Sequence, residues 1–216
     1  MSTIILDYDG TLHNSIKIYA PAFRLAYDFL VQEGYAGRKA FCDEEIAVWL
    51  GYSSVDMWNA FFPTLPEDVK QACSQMIGER MVELTLQGHA QWYPGSEETL
   101  WELKRRGHVL VFLSNCKRSY METHMQMFSM ERFFSGFYCT EDFGFSPKYD
   151  IFPEIRKRFQ GPYIVVGDRF QDMEIAEKYE IDSIGCAYGF GTEQELQSAS
   201  KVIQSVREMC VLEILA

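Results

Sequence analysis

Two kinds of pattern alternate along the chain. Short apolar runs at 3–8, 108–113, 136–139, 163–166 and 183–186 lack polar alternation, which predicts strands covered on both faces. Between them, helical periodicity predicts helices over 97–106, 119–130, 151–158 and 172–179, the first with Ser96 as N-cap and Gly107 as its stop. Strand and helix in alternation predict an α/β fold with a doubly wound parallel sheet. Residues 15–89 break that rhythm. They carry no convincing strand, and helical patterns at 18–33, 43–50, 55–62 and 67–86 are punctuated by Gly34, Gly51, Pro63 and Gly88. The expected organisation is a core of residues 1–14 and 90–216, with a small α-helical cap domain of residues 15–89 inserted after the first strand.

The first strand runs into Asp7-Tyr8-Asp9-Gly10-Thr11-Leu12. In an open parallel sheet the carboxyl ends of the strands border the ligand crevice, which puts two carboxylates at the mouth of a site. Residues i and i+2 of an extended chain point the same way, so Asp7 and Asp9 can address one substrate. An unpaired carboxylate next to a buried strand costs several kcal/mol, and its presence there calls for a metal, a cation or a function. Other polar groups close other strands: Ser114-Asn115 after 108–113, and Gly167-Asp168-Arg169-Phe170-Gln171-Asp172 after 163–166. Lys148 sits in the loop 146–150. Carboxylates, a lysine and a hydroxyl on one sheet edge are the parts needed for phosphoryl transfer through a carboxylate nucleophile, with a magnesium ion reconciling the negative charges.

Composition narrows the partners. Twenty basic residues stand against 31 acidic ones, a net charge of -11, and no concentrated basic run offers a nucleic acid its footing. The clusters 104–106 and 156–158 fall on polar helix faces. No apolar stretch reaches membrane-spanning length, and the start of the chain reads as a strand rather than a leader. Six cysteines, at positions 42, 73, 116, 139, 186 and 210, form no C-x-x-C pair and no metal spacing, so the expected location is the cytoplasm. Oligomeric state is not readable from these features.

With its motifs assembled, the chain resembles the haloacid dehalogenase superfamily. D-x-D-G-T falls at 7–11, the serine of the second motif at Ser114, the lysine of the third at Lys148, and G-D-x-x-x-D at 167–172, in the family's order. The helical insertion and the tail 187–191 resemble the phosphoglycolate phosphatase branch. The resemblance implies an Mg2+-dependent phosphatase acting on a small phosphate monoester such as phosphoglycolate, a sugar phosphate or a nucleotide. In it Asp7 is the nucleophile. Asp9 is the acid/base and lends a backbone carbonyl to the metal. Ser114 and Lys148 hold the phosphoryl group, Asp168 completes the metal site, and Asp172 supports it. Asp9 disfavours carbon–halogen cleavage, because branches with that activity lack an acid there. Two positions depart from the family pattern: proline precedes Lys148 instead of following it, and His13-Asn14-Ser15 replace an acidic-Ser pair at the cap hinge.

Alternatives of other kinds are a phosphomutase of the β-phosphoglucomutase type, a phosphonate-cleaving hydrolase with a Schiff-base lysine at Lys17 or Lys39, and a binding protein without catalysis. His13 reads as a hinge or surface residue, Cys116 as a small buried residue at a helix start, and Lys117 as a weak candidate for anion binding. His89, His108 and His124 read as structural. Aromatic residues of the insertion read mostly as its own core. Tyr52 and Ser53, in the turn between two insertion helices, together with Asn115, are candidate substrate contacts.

Overall fold

Within the first strand of the computed structural model, which describes residues 1–215, Ile4 and Leu6 join one apolar cluster while Ile5 joins another. The same division separates Leu110 and Phe112 from Val111 and Leu113, and Ile164 and Val166 from Val165. Alternate residues of a strand point to opposite faces, so runs that are apolar at every position supply two cores at once. The strands are β1 (Thr3–Leu6), β2 (Val109–Ser114), β3 (Phe134–Cys139), β4 (Tyr163–Gly167), β5 (Asp182–Cys186) and β6 (Lys201–Ile203). They form one parallel sheet in the order β3-β2-β1-β4-β5-β6. Leu100 and Leu103 of α5 (Ser96–Arg105) and Tyr120 and Met121 of α6 (Arg118–Phe128) cover one face. Ile151, Phe152 and Ile155 of α7 (Lys148–Arg158) and Ile175 of α8 (Phe170–Tyr179) cover the other.

Strand order reverses between β1 and β4. At such a switch point the two following loops diverge to opposite faces and leave a crevice at the carboxyl edge. Asp7 follows β1 there and Asp168 follows β4.

Four helices, α1 (Ile16–Gln32), α2 (Asp43–Ala47), α3 (Ser54–Phe61) and α4 (Glu67–Leu86), fill the chain between β1 and α5. α1 packs on α4, around Phe23, Leu30, Trp58 and Ile77, and α4 leans on α6 of the core. The two connections to this block run side by side: Asn14 N–H donates to Gln91 O (2.9 Å) and Tyr93 N–H to Leu12 O (2.8 Å).

Several sequence expectations need correction. A sixth strand, β6, was not foreseen, and β1 stops at Leu6, after which the Tyr8 carbonyl accepts from Leu12 and His13 N–H (2.9 Å each) in a tight turn. Ser96 is the first residue of α5 and not its cap; its hydroxyl donates to Leu12 O at 3.0 Å, tying the helix to the first motif. Lys148 lies not in a loop but at the first position of α7, directly after Pro147, whose fixed φ suits a helix entry. The segment expected as a helix over 43–50 ends at Ala47, and the chain turns at Gly51 with φ +90°.

Candidate active site

Three carboxylates meet at the switch point. Asp7, Asp168 and Asp172 each bring an oxygen within 4.8 Å of the others, and all three side chains are buried. Lys148 reaches in from α7, 2.8 Å from Asp7 Oδ1 and 2.7 Å from Asp172 Oδ1. The other oxygen of Asp172 accepts the Arg169 N–H at 3.2 Å, so Asp172 both closes the start of α8 and aims the ammonium. Asp168 Oδ2 accepts Phe190 N–H at 2.6 Å, whereas its Oδ1 is buried with no hydrogen-bond partner among the described residues. Two glycines make the crowding possible. Gly10 takes a left-handed φ of +83°, and a Cβ there would collide with the Asp168 carboxylate; one on Gly167 would strike Asp172.

Electrostatics set the carboxylates apart. Burial pushes the Asp7 carboxyl up to about 7, against the pull of Lys148, and Asp172 and Asp9 add to the rise. Burial also raises Asp168 well above the usual carboxylate range, reinforced by Asp7 and Asp172. Burial would neutralise Lys148, but Asp172 and Asp7 outweigh it and hold the ammonium charged. Three acids against one ammonium leave an excess of negative charge that a divalent cation would balance. The orphaned Asp168 Oδ1, in an all-oxygen donor set, fits a hard cation.

Asp9 stands in different surroundings. Its side chain keeps 15% of its surface exposed, and Oδ1 lies 2.9 Å from His13 Nδ1 and accepts the Tyr120 hydroxyl at 2.7 Å. Burial works to raise its pKa, but the bonds from His13 and Tyr120 prevail and lower it. His13 itself is fully buried, stacked on Tyr8 with ring centroids 5.0 Å apart, which corrects its reading as a surface residue. Behind it, the Tyr8 hydroxyl meets His124 Nδ1 at 2.8 Å and receives the Trp92 indole N–H at 2.9 Å. His124 Nε2 in turn lies 3.1 Å from the hydroxyl of Thr85 in α4. Neither His13 nor Tyr120 was among the predicted site residues. The signal for Tyr120 was present, since Tyr120, His124 and Phe128 share one helix face at i, i+4 spacing.

The remaining predicted residues divide. Ser114 ends β2, buried at the same sheet edge. Asn115 donates to Gly51 O at 2.8 Å, joining the core to the insertion. Tyr52 lines a cavity between the insertion and the core, of about 130 Å³, onto which Asp9 opens. Ser53 does not line it: its hydroxyl accepts Asp56 N–H (3.1 Å) and donates to Asp56 Oδ2 (2.7 Å), capping α3. Cys116 is buried, and burial holds its thiol protonated, as its reading as a small buried residue expected. Arg169, also unforeseen, binds Glu195 Oε1 at 3.1 Å, Val48 O at 3.3 Å and Leu50 O, pinning the loop after α2 to the core.

A buried lysine and three clustered carboxylates at the switch point of a parallel sheet, with a helical block after the first strand, define a class. Residues 4–186 match the haloacid dehalogenase-like hydrolases, and the chain belongs to that family. It is 24% identical over 208 residues to a phosphoglycolate phosphatase of Synechococcus elongatus, covering 92% of this chain and 90% of that one. Its fold is shared by a predicted phosphatase from Clostridium acetobutylicum (TM-score 0.82, 20% identity, 98% and 97% of the two chains). It is shared also by CbbY from Rhodobacter sphaeroides, solved with phosphate (TM-score 0.77, 18% identity, 97% and 96% covered). No helix among the described residues is long and apolar enough to cross a membrane.

Proposed function

We propose that this hydrolase is a phosphatase that cleaves a small phosphate monoester through a phosphorylated Asp7. The observation that carries the reading is Lys148, buried between Asp7 and Asp172, beside the unpartnered Asp168 oxygen. A nucleophilic carboxylate meeting a phosphate dianion needs positive charge on both partners, and this arrangement provides for it. Asp7, Asp168, the Asp9 carbonyl and, through its support, Asp172 would hold Mg2+, which supplies charge neutralisation at the phosphoryl oxygens.

Asp7 attacks phosphorus and the bond to the alcohol oxygen breaks, with Asp9 giving that oxygen its proton. Ser114 and Lys148 bind the transferring phosphoryl oxygens. Asp9, now a carboxylate, takes a proton from water, and the resulting hydroxide displaces Asp7 and releases inorganic phosphate. His13 and Tyr120 both engage Asp9 Oδ1, leaving Oδ2 for the substrate. At rest these contacts favour ionised Asp9; a phosphate dianion arriving beside it works the other way and favours the proton it must donate.

The insertion of residues 15–89 acts as a cap that selects the alcohol half of the substrate. Six free cysteines suit a reducing, cytoplasmic setting. The test is inorganic phosphate release from a panel of monoesters with magnesium, with EDTA, and with Asp7→Asn. Magnesium-dependent turnover absent from Asp7→Asn is expected. A folded, magnesium-loaded protein that releases phosphate from none of them overturns the reading and moves the mutase and binding alternatives ahead.

A further inference from the structure

Between the insertion and the core lies a cavity whose lining is mostly apolar. Its wall is formed by Tyr19, Trp49, Met57, Trp58, Ile77 and Met81 from the cap, with Tyr52 at the turn and Asp9 at the core end. Among the described lining residues Lys117 is the sole cation. The volume, about 130 Å³, is close to that of an apolar protein void that takes up one benzene ring, about 150 Å³. The aromatic wall is fixed before any ligand arrives. The Arg169 guanidinium lies over the Tyr52 ring at 5.0 Å while its Nη1 donates to the carbonyls of Val48 and Leu50 and its Nε to Glu195, and Trp49 and Phe170 pack edge-on to Tyr52 at 6.2 Å each.

We infer that the leaving alcohol is planar, largely apolar and about one ring in size, so that the substrate class is phosphate monoesters of arylmethyl or similar aromatic alcohols. This rests on the phosphatase reading of the same site. A two-carbon carboxylate would find Lys117 as its one cationic partner and leave most of the apolar wall facing water. A sugar would set most of its hydroxyls against the indoles, the methionines and Ile77, with Ser54, Ser74, Ser119 and Asn115 as the uncharged polar side chains besides the tyrosines, and each hydroxyl left unpaired is unfavourable. A flat ring stacks on these walls and displaces that water.

The test compares kcat/KM for benzyl phosphate, 2-phosphoglycolate and glucose 6-phosphate with magnesium present. Benzyl phosphate is expected to exceed both by about tenfold or more, the scale on which an apolar pocket discriminates. A value for either of the others equal to or above it overturns the inference. Gly78→Leu fills the cavity from α4, where an added Cβ meets only Lys117 Nζ at 3.9 Å, and leucine strengthens the helix, so folding is preserved. The ratio of benzyl to methyl phosphate hydrolysis should fall about tenfold in this variant, and an unchanged ratio counts against the cavity as the alcohol site. Tryptophan fluorescence titrated with benzyl alcohol reports on the cavity apart from turnover. Saturable quenching by benzyl alcohol that is lost in Gly78→Leu supports the ligand class even if no monoester is hydrolysed, the outcome in which only the phosphatase reading fails. No saturable change overturns the inference.

Discussion

At the carboxyl edge of the sheet, Asp7, Asp168, Asp172 and Lys148 crowd four ionisable groups into a buried pocket, while the inserted helices present Tyr19, Trp49, Met57 and Trp58 to the neighbouring cavity. The floor is destabilising by itself. Burial, reinforced by the crowding of like charge, raises the pKa of Asp7 and of Asp168, and nothing in folding favours the arrangement over an apolar one of equal volume. The roof is ordinary hydrophobic packing with a gap left in it. Strain at the floor points to chemistry there, and the gap at the roof points to selection. The two meet at Asp9, which touches the cavity with its carboxylate and is anchored by His13 and Tyr120 from behind.

That contrast is open to direct attack. Asp7→Asn should reduce phosphate release on the order of 10³-fold or more, since it removes the nucleophile of a group that acts as a unit. In EDTA the same variant should melt no lower than the wild type, because it relieves the excess charge; a clear fall in Tm would show the floor to be stabilising after all. Lys148→Met should match the loss of activity but also lower stability by about 3 kcal/mol or more, having left buried acids without their cation, as urea unfolding would register. Tyr120→Phe should slow turnover roughly tenfold, a share of the gain available from general acid–base catalysis, and most for alkyl leaving groups that need a proton. An equal loss for p-nitrophenyl phosphate would mean that Tyr120 serves structure rather than Asp9.

The smallest effect concerns the buried network between floor and roof. Burial pushes His124 down to about 3 from 6.5, so the unfolded chain binds a proton that the folded chain refuses. Its contribution is therefore complete above pH 6.5 and is lost as the pH falls towards about 3. The difference in unfolding free energy between wild type and His124→Asn should shrink over that window. A pH-independent difference would place the cost elsewhere.

What was legible in the sequence follows the same division. The floor was readable because Asp7, Ser114 and the segment from Asp168 to Asp172 follow apolar runs, Lys148 follows in the segment after the third, and parallel strands bring their carboxyl ends to one edge. Asp7, Ser114, Lys148, Asp168 and Asp172 all lie there. Details set by contacts distant in the chain were not. His13 sits in a polar stretch, Leu12-His13-Asn14-Ser15, that reads as a turn, and it is buried only because α6 and the returning segment near Trp92 close over it. β6 is three residues with two of them exposed, too short for periodicity to register. Ser53 was a readable miss: Ser53 followed three residues later by Asp56 is a helix-cap signature, and the hydroxyl offered to a substrate is already committed to α3. Arg169 carried no local signal, since its partners are Glu195 and the carbonyls of a loop more than a hundred residues earlier.

The most direct test of the account is acid quench of the magnesium-loaded enzyme within its first turnover of a monoester, followed by peptide mapping by mass. The account predicts one added phosphoryl group on the peptide carrying Asp7, decaying as inorganic phosphate appears and absent from Asp7→Asn. Turnover with no covalent phosphate on that peptide, or phosphate carried by another residue, would contradict it.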